Sequence, residues 1–344
     1  MSSSISHDNS SNMAGSQDRL HPEPAFLEES ETVGPLFDNP FRIEDLLVFD
    51  DATFVRVLEG HVFGTNMELL AHSLQGASRK LIKRILYNLQ SEERQRFLQE
   101  LYQLVSSEEQ ACARKQVLDL LFWELTYWKT PELYEELTEG EWLHPGIFEQ
   151  LEPDLQGKVV LDAGAGSGRA TFQSLRHGAA KVYAVEPSPG LLHILENKLK
   201  GHPAEQQVIP MQGCFSRLPL ETDAMDLSLS CSAFTSEEEH GGEDGLEELK
   251  RVTKSGGKII LIWPRPEDRE WFIQHGFEYV TLPVHQEMHV HFRSLPAALR
   301  CAERFYARNQ ALRHYLIKKQ TPEVPFSVLG INPPLDYCWL KLEK

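Results

Sequence analysis

The chain has 344 residues, 41% of them hydrophobic, and a formal net charge of −17 from 51 acidic against 34 basic residues. That length accommodates two modest domains and a tail, and the acidic balance opposes the phosphate attraction that dominates nucleic-acid affinity, so DNA and RNA rank low as partners. Five scattered cysteines (Cys112, Cys214, Cys231, Cys301, Cys338) with no CxxC pair argue against a disulfide framework or a zinc knuckle, and no apolar run approaches the roughly 20 residues that span a bilayer.

In chain order, Met1–Arg19 is rich in Ser, Asn and Asp and lacks the apolar stretch of a signal peptide. Residues 1–35 read as a disordered tail and the protein as cytoplasmic. Residues 36–128 read as a small all-helical domain. Leu81, Ile82, Ile85, Leu86 and Leu89 fall on one helical face, largely opposite Arg79, Lys80, Lys83 and Arg84. Ser91 and Ser107 are the expected caps of the next two helices. Two stretches, Ile43–Asp51 with Phe54–Leu58 and Leu74–Ser78 leading into the Leu81–Leu89 helix, resemble the C-terminal domain of the flagellar motor switch protein FliG. That resemblance implies a helical bundle that meets other proteins, with Asp50, Asp51 and Arg56 matching part of the charge pattern. Ala52 departs from it, and the Gly60–Asn66 loop is longer than expected. A bundle reused as a lid or docking module is the plainer reading.

Residues 129–344 change character. Short apolar runs alternate with helical stretches at Val159–Asp162, Lys181–Glu186, Gln207–Met211, Met225–Ser230 and Lys258–Trp263, with a last strand in Tyr337–Lys344. Alternating strands and helices imply crossovers on a mostly parallel sheet. The informative segment is Val159–Arg169, where a buried strand runs into Gly164, Gly166 and Gly168 and then a helix. Glycine lets backbone approach a ligand closely, and the helix N-terminus favours an anionic group. The dinucleotide spacing G-x-G-x-x-G fails, because its third glycine would fall on Arg169. About twenty residues beyond the loop, Glu186 ends the second strand, where a carboxylate can accept hydrogen bonds from both ribose hydroxyls; the bland alternative is a surface Glu before a turn.

Val159–Leu195, Met225–Ser230 and Leu246–Ile262 together resemble the class I S-adenosylmethionine-dependent methyltransferases, with Leu246–Lys258 matching their helix, glycine turn and fifth strand. The resemblance implies a Rossmann-like, doubly wound α/β sheet of seven mostly parallel strands after the small all-α domain. It implies S-adenosylmethionine as cofactor and no metal. The cofactor set it implies is Asp162, Gly164, Ala165, Gly166, Gly168, Glu186, Pro187, Cys214, Phe215 and Ser230. Cys214 departs from the family, which usually places there an acidic residue that binds adenine. Phe215 or backbone groups are the alternatives, and Cys214 equally suits a buried thiol.

No acceptor-side motif stands out. Tyr134, Trp142 and His144, just before the first strand, are candidates to line the acceptor pocket, against packing between domains. His285, His289 and His291 form an H-x3-H-x-H cluster; on a strand His289 and His291 would share a face and could bind metal or serve as a base, but a polar strand face is the plainer reading. Glu237–His240 follows the fourth strand and reads as a solvated loop. Tyr134, His144 and His289 are thus the weak catalytic candidates. The expected activity is methyl transfer to a small-molecule acceptor, with a protein partner conceivable through the helical domain. The alternative is a non-catalytic interaction protein that docks through that domain and keeps a sensing or vestigial fold.

Overall fold

The computed structural model describes residues 37–59 and 66–344. The tail expected at 1–35 and most of the long Gly60–Asn66 loop lie outside the described residues. Nine strands are described: β1 (Val159–Ala163), β2 (Lys181–Glu186), β3 (Val208–Gln212), β4 (Met225–Cys231), β5 (Thr253–Ile262), β6 (Glu278–Thr281), β7 (His289–His291), β8 (Glu323–Pro325) and β9 (Asp336–Lys341). Seven of them form one sheet in the order β3-β2-β1-β4-β5-β9-β6. Its pairs are parallel from β3 through β5, whereas β9 lies antiparallel between β5 and β6. The order reverses direction beside β1, so a crevice opens at the carboxyl ends of β1 and β4, where open α/β sheets bind ligands.

The parallel strands are apolar because both faces are covered. Val160, Leu229 and Ile260 pack on one face with Ile147, Leu151 and Leu155 of helix Pro145–Leu155. Leu161, Ile259 and Leu261 pack on the other with Leu246 and Leu249 of helix Gly242–Val252. This is the period-two alternation of a strand, read on both faces at once.

Before the sheet come helices Asp51–Glu59, Met67–Ser73, Arg79–Asn88, Ser91–Leu101, Ser107–Leu120, Phe122–Lys129 and Pro131–Thr138. Two caps sit one residue earlier than the sequence suggested. Gln90 and Ser106 are the N-caps, and Glu93 and Glu109 accept from their backbone N–H groups. The boundary drawn after Trp128 falls inside the helix Phe122–Lys129. Apolar packing also crosses it: one core joins Phe49, Leu81, Phe97, Leu121 and Leu125 to Val290, Cys301, Phe305, Leu316 and Phe326. Those last residues belong to β7 and the helices Leu295–Phe305, Gln310–Lys319 and Phe326–Leu329 between β6 and β9. Leu36–Lys344 accordingly form one compact unit. No helix among the described residues is long and apolar enough to cross a membrane.

Candidate functional site

At the carboxyl ends of β1, β2 and β4 lies a cavity of about 310 Å³. Asp162, Gly164, Ala165, Gly166, Glu186, Pro187, Cys214 and Phe215 line it from the sheet side. Trp123, Glu124, Tyr127, Trp128 and Tyr134 line it from the helical region. Of the residues singled out in the sequence, Gly168 and Ser230 do not line it. Gly168 instead caps helix Arg169–Arg176 with φ 101°, and a Cβ there would come within 2.6 Å of Leu195. Ser230 is buried in β4, its hydroxyl without a hydrogen-bond partner among the described residues.

The two acidic residues are held differently. Asp162 is fully buried; Thr171 donates to its Oδ2 at 2.6 Å, while Oδ1 has no hydrogen-bond partner among the described residues. Burial pushes its carboxyl up to about 6, against the lowering pull of Thr171. Glu186 bridges two loops, accepting from the Gly166 N–H at 2.8 Å and the Ser188 N–H at 2.9 Å. Burial raises it to about 7 despite those bonds. Each oxygen keeps a lone pair beyond its one backbone partner. Phe215 packs edge-on against Phe234 at 5.1 Å, and its ring lies beside Gly164.

The wall from the helical region is aromatic. Tyr127 and Tyr134 meet edge to face at 4.7 Å, and Trp123 stacks on Phe305 at 5.6 Å. Burial raises both tyrosine phenols well above their ordinary value, so each stays a neutral hydroxyl. Tyr134 is thus in the cavity as expected, but not in a form that removes protons. His144 and His289 are elsewhere: His144 caps helix Pro145–Leu155 by accepting from the Gly146 N–H at 3.2 Å, and His289 is on the short strand β7 with its ring on the Glu287 carbonyl at 3.0 Å. Trp142 stacks on His291 at 4.1 Å, outside the cavity. No group of three or more His, Cys, Asp or Glu that could hold a metal occurs among the described residues.

Arg56, Glu124, Arg169 and His240 are among the lining residues that were not singled out as site residues in the sequence. Arg169 pairs with the buried Glu141 at 3.1 Å and donates to the Ser232 hydroxyl at 2.6 Å. His240, expected in a solvated loop, lines the cavity and pairs with Glu124 at 3.2 Å. Arg56 reaches from the first helix to donate to the Glu239 carbonyl at 2.9 Å. Of the other charges behind the FliG resemblance, Asp50 accepts from the Thr53 N–H at 2.8 Å and from the Gln212 side-chain amide at 3.1 Å, and Asp51 pairs with Arg84 at 2.9 Å.

A family model described as a methyltransferase domain matches residues 160–257, from β1 into β5 and over the glycine loop and Glu186. The chain carries an S-adenosylmethionine-dependent methyltransferase domain. An uncharacterized methyltransferase of Geobacillus thermodenitrificans is 29% identical over 161 residues, covering 46% of this chain and 72% of that protein. A tRNA U34 carboxymethyltransferase of Hahella chejuensis is 31% identical over 123 residues, 36% of each chain. A crystal structure of a methyltransferase from Aquifex aeolicus overlaps with a TM-score of 0.36 at 22% identity, covering 44% of this chain and 89% of that one, too loosely to carry weight. The matched part of the methyltransferase domain supplies the sheet side of the cavity, while the aromatic wall comes from outside it.

Proposed function

We propose that the cavity holds S-adenosylmethionine and that the chain methylates a small molecule beneath its helical region. The observation that carries this reading is Asp162: a buried carboxylate with one oxygen unpartnered among the described residues, in a residue lining a cavity behind a glycine loop. A buried polar atom left so is costly unless a ligand meets it, and the cofactor's ammonium group fits it. Glu186 would hold the ribose through its remaining lone pairs, with Pro187, Cys214 and Phe215 against the adenine. The loop Gly164–Gly168 and Ala165 would lie along the methionine part. When bound, the cofactor supplies an electrophilic methyl group on a sulfonium.

The protein's own residues then orient and enclose. Arg169, fixed by Glu141 and Ser232, adds a positive charge at the cavity wall. Trp123, Tyr127 and Trp128 exclude water, which strengthens every electrostatic contact inside. The helical region, whatever its likeness to the FliG domain, acts as a lid in this reading. A small acceptor suits a cavity roofed by helices, and the net charge of −17 disfavours a nucleic acid. Titration calorimetry tests the cofactor assignment. S-adenosylhomocysteine should give a saturable heat and NADH none; heat from NADH alone would overturn it.

The second reading, a docking module on an inert fold, draws on Tyr87 of helix Arg79–Asn88 and on Tyr102 and Leu104 in the turn after helix Ser91–Leu101, which are exposed at 79%, 80% and 104%. It predicts no heat from either ligand.

A further inference from the structure

Resting on that reading, we propose that His240, oriented by Glu124, is the proton acceptor for a hydroxylated aromatic substrate bound between the cofactor and the lid. The unpartnered buried atoms carry the argument. Besides Asp162 Oδ1, two belong to residues lining the same cavity, His240 Nδ1 and Glu239 Oε1. Both can accept a hydrogen bond. Glu124, reaching in from helix Phe122–Lys129, meets His240 Nε2 at 3.2 Å and so holds the proton of a neutral ring on that nitrogen. Nδ1 is left with its lone pair; Glu237, at 3.7 Å, is beyond hydrogen-bond reach.

The segment that presents His240 is firmly built. The His240 carbonyl accepts from the Thr235 N–H at 3.0 Å, and Gly241, with φ 135°, packs so closely on Phe234 that a Cβ would come within 2.4 Å of the ring. Two acceptors in one chamber call for a ligand that offers two donors, and the facing walls of Trp123, Tyr127 and Trp128 call for a flat, aromatic one. A catechol-type diol meets both demands.

Other candidates for the proton fail on chemistry. The Tyr134 phenol and the Cys231 thiol are raised by burial and keep their protons. Asp162 and Glu186 serve the cofactor. The charges facing His240 are Glu124, Glu237 and Arg56, with Glu239 and Arg265 also on the cavity wall. Burial opposes the imidazolium, and Glu124 outweighs it, so the ring titrates above its ordinary value. In the step itself the substrate oxygen attacks the methyl carbon and the O–C bond forms. The C–S bond breaks with its electron pair remaining on sulfur, and the hydroxyl proton passes to His240 Nδ1.

The probe is 3,4-dihydroxyacetophenone, a diol dye whose phenolate absorbs at longer wavelength than its neutral form, added to full-length protein with S-adenosylhomocysteine at a pH just above the acid limb of the wild-type profile, where His240 is neutral and most of the free dye keeps its protons. The wild type should develop the phenolate band, and with S-adenosylmethionine it should release methylated dye. His240→Asn should keep the heat of S-adenosylhomocysteine binding, which certifies the fold, yet lose the band and roughly 10²–10⁴-fold in turnover. Glu124→Gln should keep some turnover but move the acid limb of its pH profile to lower pH, because the anion that raises His240 is gone. A band and turnover undiminished in His240→Asn overturn the assignment. So does a wild type that binds S-adenosylhomocysteine but neither colours nor methylates the dye. Absence of S-adenosylhomocysteine heat in the wild type instead sinks the parent reading.

Discussion

Gly164 and Gly166 share a left-handed backbone, at φ 71° and 54°, but differ in what a methyl group would meet. At Gly164 a Cβ would stand 2.5 Å from the Ala233 Cβ; at Gly166 it would meet nothing within 4 Å. Gly164→Ala should therefore cost about 1–3 kcal/mol of overpacking on top of the roughly 1–2 kcal/mol of left-handed strain. Gly166→Ala should cost only the strain, yet crowd the cofactor. Thermal melts with calorimetry separate the two: if Gly166→Ala binds S-adenosylhomocysteine as tightly as the wild type, the loop is not the cradle. The carboxylates give a second prediction. Both bind protons more tightly in the fold than in the unfolded chain. Their contribution to stability is therefore present in acid and lost as pH rises through about 6 for Asp162 and about 7 for Glu186. A ligand ammonium on Asp162 favours its anion, so binding should release a proton near pH 6 and tighten up to about pH 7. Calorimetry in two buffers of different ionisation heat reads that proton directly; a pH-independent affinity with no proton released would remove Asp162 from the site.

At the scale of elements, the seam between lid and sheet is tightest at Gly190, where a Cβ would lie 2.7 Å from Pro131. Helix Pro189–Leu199 there abuts helix Pro131–Thr138, and the Ser188 hydroxyl donates to the Tyr127 carbonyl at 2.7 Å. Gly190→Ala should wedge the seam by about 1–3 kcal/mol and speed S-adenosylhomocysteine release about tenfold, since ~1.4 kcal/mol is a factor of ten. Stopped-flow tryptophan fluorescence measures it, and an unchanged release rate would mean the helices do not gate the cleft. The same scale explains what could be read in advance. β1, β2, β4 and β5 were legible because strands covered on both faces are continuous apolar runs. β6, with the sequence Glu-Tyr-Val-Thr and two exposed residues, is an edge strand and carries no such run. The glycine loop and Glu186 were legible because they lie close in sequence. Arg56, Glu124 and His240 were not, because their pairing spans more than a hundred residues: Arg56 and Glu239 are 183 apart. No local pattern records such a contact.

At the scale of the molecule, the apolar core shared by Phe49–Leu137 and Val290–Leu329 makes the helical region and the segment before β9 interdependent. Residues 129–344 produced alone should bare the apolar faces of Val290, Phe305 and Phe326. Such a fragment should bind a hydrophobic dye and melt without a cooperative transition, whereas the full chain should show a single one. A fragment that melts sharply and turns over at the full-length rate would restore an independent lid. The shared core also sets an order in time. Leu137 and Val290 are about 150 residues apart, and ribosomes add roughly 5–20 residues per second. The last of these helices, Pro131–Thr138, thus waits roughly 8–30 seconds beside the ribosome, and the earlier ones longer, apolar faces uncovered, before the segment that covers them has been made. Nascent chains of this protein should need a holding chaperone through that interval, and slower translation at low temperature should not by itself rescue their yield.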